Sequence, residues 1–194
     1  MRRTISAVAV VVAVAVLYLG SAIWSVSLLL EAVRAGDGPA IVSHTDLPRL
    51  RASLLNQVID AYLAVIGAKR PLAQLAASAY GPTIADPLIE KILNDGLTRL
   101  LQQGIVLDPV KSTARAAMPA LGSLNPGELL SLVSRIEPTK LLEFRLRITG
   151  SKDPLIYTAA QFRLEGPTWK LSGLRLPPAM ATDLAVMIVE MTRH

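Results

Sequence analysis

The chain has 194 residues, enough for one domain and an appendage, with a net charge of +5, 52% hydrophobic residues, 4% aromatic residues and no cysteine. The missing cysteines exclude a disulfide framework and thiol catalysis. Outside Arg2 and Arg3, 18 basic residues are spread thinly against 15 acidic ones, so the clustered cations and stacking aromatics of a nucleic-acid surface are absent and no nucleic-acid partner is expected.

Residues Ile5 to Leu30 contain no charge over 26 positions. As a helix they would extend about 39 Å at ~1.5 Å per residue, enough to cross a hydrocarbon core of ~30 Å with some tilt. A signal peptide cleaved after Ala22, at Gly20-Ser21-Ala22, is the competing reading. The apolar run continues beyond that point, and Trp24 stands where an interfacial anchor belongs, so an uncleaved anchor is expected. Arg2 and Arg3 precede the run, whereas Glu31, Arg34 and Asp37 follow it without net positive charge. The positive-inside rule then keeps the N-terminus cytoplasmic and carries the rest across the membrane, into a periplasm if the cell has two membranes. The expected division is an anchor over 1–30 and a soluble domain over 31–194.

The apolar helix should run on through Glu31 and Arg34 and stop at Gly36-Asp37-Gly38-Pro39. Asp46 is a suitable N-cap for the next helix, with Pro48 tolerated in its first turn. Leu47, Leu50, Leu54, Val58, Tyr62 and Val65 give that helix an apolar face, which should end near Gly67. A third helix is expected from Thr83 or Asp86-Pro87 to Gly104, with Ile84, Leu88, Ile92, Leu97, Leu100 and Leu101 as its stripe. Pro109, Pro119 and Gly122 predict a loop from Ile105 to Ser123, followed by a short helix from Asn125 to about Arg135.

The period then changes to two. Leu142, Phe144, Leu146 and Ile148 alternate with Glu143, Arg145 and Arg147 in a strand over Lys140 to Thr149. Further strands are expected at Leu155 to Glu165 and Thr168 to Leu176. The parity change between Leu171 and Leu174 predicts a bulge near Ser172-Gly173. A last helix after Pro177-Pro178 carries Leu184, Met187, Ile188 and Met191. The expected fold class is α+β: an N-terminal transmembrane helix, then helices packed on one face of a three-stranded antiparallel sheet. The order of helices before strands is shared with the nuclear transport factor and cystatin groups, an analogy of fold alone.

No G-x-S-x-G, Walker or G-x-G-x-x-G sequence occurs, and His44 and His194 lack ligand-spaced partners, so no cofactor or metal is expected. On the second helix Arg49, Ser53, Asn56 and Asp60 recur along one side, with Arg51 and Gln57 nearby. This pattern describes either a solvated face or the polar wall of a ligand cleft. Glu143, Arg145, Arg147, Arg163 and Lys170 would form a stripe across the outer sheet face, read either as cross-strand charge pairing or as a patch for anionic lipid head groups. The candidate ligand or partner surface is therefore Arg49, Ser53, Asn56, Asp60, Arg145, Arg147 and Arg163. Trp169, alternating with Leu171, is expected in the core.

The stretch LYLGSAIWSVSLLLEAVRAGDGPAIVSHTDLPRLRASL resembles the start of the bacterial proteins catalogued as domain of unknown function 2939. The shared features are an apolar lead, a Trp at the membrane exit, a helix ending in Gly-Asp and a D-x-P-x-L-R-x-S-L helix start. The helix from Thr83 to Gly104 and the W-K-L-x-x-x-R-L-P stretch from Trp169 to Pro177 extend the resemblance over residues 17 to 177. It implies a bacterial, membrane-anchored protein of unknown activity, and it supplies no catalytic residue. The resulting expectation is a tethered envelope protein that binds a lipid head group, a ligand or another envelope protein without catalysis. The alternative is a small-pocket hydrolase or isomerase, for which two converging ionisable groups in a deep pocket would be the discriminating feature.

Overall fold

The computed structural model describes residues 2–65, 89–94, 96–107, 114–125, 133–149, 153 and 157–192. Its first element, α1 (Arg2–Ala35), is one uninterrupted helix that stops at Gly36, as its sequence predicts. Asp37 then caps a short helix not anticipated from sequence, α2 (Gly38–Ser43), its Oδ1 accepting from the Ala40 N–H at 3.0 Å. Asp46 caps α3 (Leu47–Val65) through Oδ1 and the Arg49 N–H at 3.2 Å, and Leu50, Leu54 and Val58 are its buried stripe.

The predicted third helix is seen in its second half, a helical stretch at 89–94 and then α4 (Leu97–Gln103), with Gly96 between them. Thr83, Ile84, Asp86 and Leu88 lie outside the described residues. Gly104 ends α4 at φ +71°, and a Cβ there would collide with the Met118 carbonyl, so no other residue fits the left-handed stop without displacing that strand end. Where a loop was expected, β1 (Ile105–Leu107) pairs antiparallel with β2 (Ala114–Ala117), and Leu121–Ser123 forms a 3-10 turn. The prolines that argued for a loop flank these strands and do not interrupt them. Of the short helix expected up to Arg135, residues 133–135 are helical, and 126–132 lie outside the described residues.

The main sheet has four strands, one more than expected, in the order β3 (Ile136–Lys140), β4 (Glu143–Arg147), β5 (Ala159–Glu165) and β6 (Thr168–Arg175), antiparallel throughout. The additional strand, β3, contains Pro138, which argues against a strand on propensity but is tolerated on an edge where one N–H is not needed. Lys140 belongs to β3 and pairs with Glu143, leaving Leu141 and Leu142 as a two-residue hairpin tip. The bulge lies where parity placed it: Gln161 opposes Gly173 and Phe162 opposes Leu171, so Ser172 is the inserted residue.

Phe144, Leu146, Phe162, Trp169, Leu171 and Leu174 share the inner face and are buried. Phe144 stacks on Phe162 with centroids 5.1 Å apart and tilts against Trp169 at 4.9 Å. The cover is not α3 alone. The second half of α1 crosses Trp169: Ser21 Oγ accepts from Nε1 at 3.1 Å, Ser25 Oγ accepts from the Trp169 N–H at 3.3 Å, and Tyr18 meets the indole edge-on at 5.1 Å. Ala22, Val26, Leu29, Leu30 and Val33 of α1 join the same core as Leu50, Leu54, Val58 and Leu184, Met187 and Ile188 of α5 (Pro178–Thr192). A boundary at residue 30 therefore divides a helix whose residues 22–33 pack into the domain.

Candidate ligand surface at the hairpin end of the sheet

The outer edge of β6 is closed by three different elements. Ser25 takes the Trp169 N–H. The segment 44–46 then forms a parallel bridge, with the Leu171 N–H donating to the His44 carbonyl at 2.9 Å and the Asp46 N–H to the Leu171 carbonyl at 2.8 Å. Beyond the bulge, the Gln57 carboxamide takes the place of a strand: Nε2 donates to the Leu174 carbonyl at 2.7 Å and Oε1 accepts the Leu176 N–H at 2.9 Å. His44 is thus the C-cap of α2, not the entry to α3, and its backbone carbonyl closes the sheet edge. Gln57 leaves the polar set read from α3 and becomes an edge cap.

These contacts separate the residues expected on one polar wall. Ser53 faces β6, where a Cβ on Gly173 would lie 3.0 Å from its Oγ. Asn56 and Asp60 point to solvent. Arg49 alone of the four lines a depression with residues of the expected sheet stripe. With Asp46, Arg163, Leu164, Glu165, Gly166 and Lys170 it lines an open depression of about 240 Å³ where α3 begins beside the β5–β6 turn. Its cations are paired at the surface: Arg49 Nε with Asp46 at 2.9 Å, Lys170 Nζ with Glu165 at 3.1 Å, and Arg163 Nη1 with Glu143 at 3.2 Å. The buried Glu143 carboxylate also receives Lys140 Nζ at 3.2 Å, so its desolvation is offset by two cations.

The expected stripe does share one face. Register places Glu137, Glu143, Arg145, Arg147, Gln161, Arg163, Lys170 and Arg175 on the outer side of the sheet. Arg147 and Arg175 gather at the end remote from the depression. Arg147 Nε lies 3.0 Å from Glu137 Oε1, not aligned for a hydrogen bond, while its Nη2 donates to the Ser134 carbonyl at 3.1 Å. Tyr157 donates to Glu137 at 3.0 Å, and Arg175 stacks 5.2 Å above the Tyr157 ring. Burial, the hydrogen bond to Glu137 and that carboxylate's charge raise the Tyr157 pKa above its usual 10.0, against the opposing pull of Arg145 and Arg175. Among the described residues no three His, Cys, Asp or Glu side chains gather to hold a metal.

The direction of α1 orients this surface. Tyr18 Oη donates to the Leu141 carbonyl, at the β3–β4 tip, and the Leu164 N–H reaches the Leu142 carbonyl at 3.0 Å. Both hairpin tips, Leu141-Leu142 and Gly166-Pro167, therefore lie at the end of the sheet where α1 departs. Val16, Leu17 and Leu19, next to Tyr18 on the helix, are exposed. The stretch Val16–Ala35 is long and apolar enough to cross a membrane by length and composition, yet 39% of its most apolar 18 residues is buried in the fold.

No curated protein and no solved structure matches the chain, and the likeness to nuclear transport factor and cystatin folds rests on element order alone. The terminal W-K-L-x-x-x-R-L-P stretch lies beyond the part of the chain that a family model matches, and sequence reasoning missed the depression because Arg49 and Arg163 are brought together by the β6 edge contacts. Residues 11–100 match the model of the family described as protein of unknown function (DUF2939), the family that the sequence resembles.

Proposed function

We propose that the protein is a single-pass membrane-tethered domain, N-terminus cytoplasmic and domain on the far side, that binds an anionic lipid head group without catalysis. The observation that supports this most is the position of the Arg49, Arg163 and Lys170 depression at the end of the sheet where the apolar helix departs. A phosphate held there would be within reach of the bilayer that holds α1. Three cations line the depression against two carboxylates, Asp46 and Glu165. The Arg49, Arg163 and Lys170 side chains are 47%, 43% and 32% exposed, and guanidinium groups keep further donors for a phosphate. An open, shallow polar surface of this kind suits a head group better than a small substrate, which needs enclosure.

The test is a titration of the detergent-solubilised full chain with short-chain phosphatidylglycerol and phosphatidylcholine, followed by amide chemical shifts. Saturable shifts at Arg49, Arg163, Gly166 and Lys170 are expected with phosphatidylglycerol. In Arg163→Gln the Kd should rise about tenfold, the equivalent of one charge-assisted hydrogen bond. Equal responses to both lipids, or shifts scattered over the surface, refute the reading.

A further inference from the structure

We infer that the β3–β4 hairpin tip, Leu141-Leu142, inserts into the membrane interface beside α1 as a second, non-helical membrane contact. This rests on the reading that α1 spans a bilayer. The first observation is chemical. A two-residue hairpin loop ordinarily takes Asn, Asp or Gly, which suit its backbone and face water. Here Lys140 pairs with Glu143, and the two loop positions are both leucine. Leu141 is 90% exposed and Leu142 51%, although neither turn geometry nor core packing calls for a large apolar side chain there.

The second observation is one of length. Tyr18 and most of residues 22–33 of α1 pack into the domain core, which leaves Ile5 to Leu17 as the apolar run that precedes this packing. Those residues reach about 20 Å, short of the ~30 Å hydrocarbon core, whereas a run to Trp24 reaches about 30 Å. Trp24 is 69% exposed, an amphipathic side chain suited to the boundary. With Trp24 at that boundary, Tyr18 lies deeper by about 9 Å along the helix axis. The Tyr18 hydroxyl holds the Leu141 carbonyl, so the hairpin tip is carried to the same level. Lys140, its side chain 74% exposed and its Nζ on the Glu143 carboxylate, flanks the leucines with an apolar stem. The tip thus continues the exposed apolar surface of Val16, Leu17 and Leu19 through Tyr18, and the bilayer that receives the helix is its occupant.

The absence of cysteine allows a direct test in the full chain. Single-cysteine variants Leu141→Cys, Ala13→Cys and Asn56→Cys are labelled with a nitroxide and reconstituted into vesicles of phosphatidylcholine and phosphatidylglycerol. Collision with oxygen, which partitions into lipid, is compared with collision with a water-soluble nickel chelate. All three side chains are exposed, so labelling leaves the core intact. The expected result is a severalfold higher oxygen-to-nickel ratio at positions 13 and 141 than at position 56. A lipid-exposed label at 13 with an aqueous label at 141 overturns the hairpin insertion and leaves the anchor standing. Aqueous labels at both positions overturn the anchor itself, and the insertion with it.

Discussion

At the scale of single residues, Trp169 joins the sheet to the apolar helix. Its ring meets Tyr18 and Phe144, its Nε1 donates to Ser21, and its backbone N–H donates to Ser25, two serines one helical turn apart on α1. Trp169→Ala would leave a cavity between α1 and the inner sheet face and remove the donor paired with the Ser21 hydroxyl. The expected cost is about 3–5 kcal/mol, measured by urea unfolding of the detergent-solubilised chain. Trp169→Phe keeps most of the ring contacts and should cost clearly less. Equal costs for the two variants would mean that the indole hydrogen bond, not burial, dominates. The core position of Trp169 was legible from its alternation with Leu171. Its serine partners were not, because Ser21 and Ser25 read as incidental small polar residues in an apolar run more than a hundred positions away.

At the scale of elements, the instructive case is the outer edge of β6. An open strand edge presents unpaired N–H and C=O groups that can pair with another chain. Here a serine of α1, the backbone before α3 and the Gln57 side chain occupy successive positions along it. Gln57→Leu should leave the Leu174 carbonyl and Leu176 N–H without partners, at about 1–3 kcal/mol in total unless water reaches them. Hydrogen exchange should then accelerate at Leu176 more than at Leu171, whose partner is the backbone of His44. An unchanged rate at Leu176 would show that Gln57 is not its protecting group. The polar spacing on α3 suggested a single solvated or ligand-facing wall. The structure divides it, because a helix laid along a sheet edge turns Ser53 and Gln57 toward backbone and leaves Asn56 and Asp60 in solvent.

At the scale of the whole molecule, the apolar helix is both a candidate membrane span and part of the domain core. Ala13, Val16 and Leu17 are exposed, while Ala22, Val26, Leu29, Leu30 and Val33 are core residues. A chain that starts at Glu31 therefore lacks much of the cover over Trp169 and should aggregate or lose cooperative unfolding. One that starts at Ala13 should unfold in a single transition. Cooperative unfolding of the shorter chain, seen by circular dichroism, would show the α1 packing to be dispensable. The sequence by itself determined the helix over the uncharged 26-residue run, its stop at Gly36, the Asp46 cap and the period-two strands with their bulge. Each is encoded by local periodicity or by a residue with strong backbone preferences. Tertiary structure decided the fourth strand, the β1–β2 pair, the closure of the β6 edge and the meeting of Arg49 with Arg163. These depend on which surfaces meet across long separations in the chain, where burial and satisfied backbone groups outweigh the weak propensities of short segments that contain or adjoin proline.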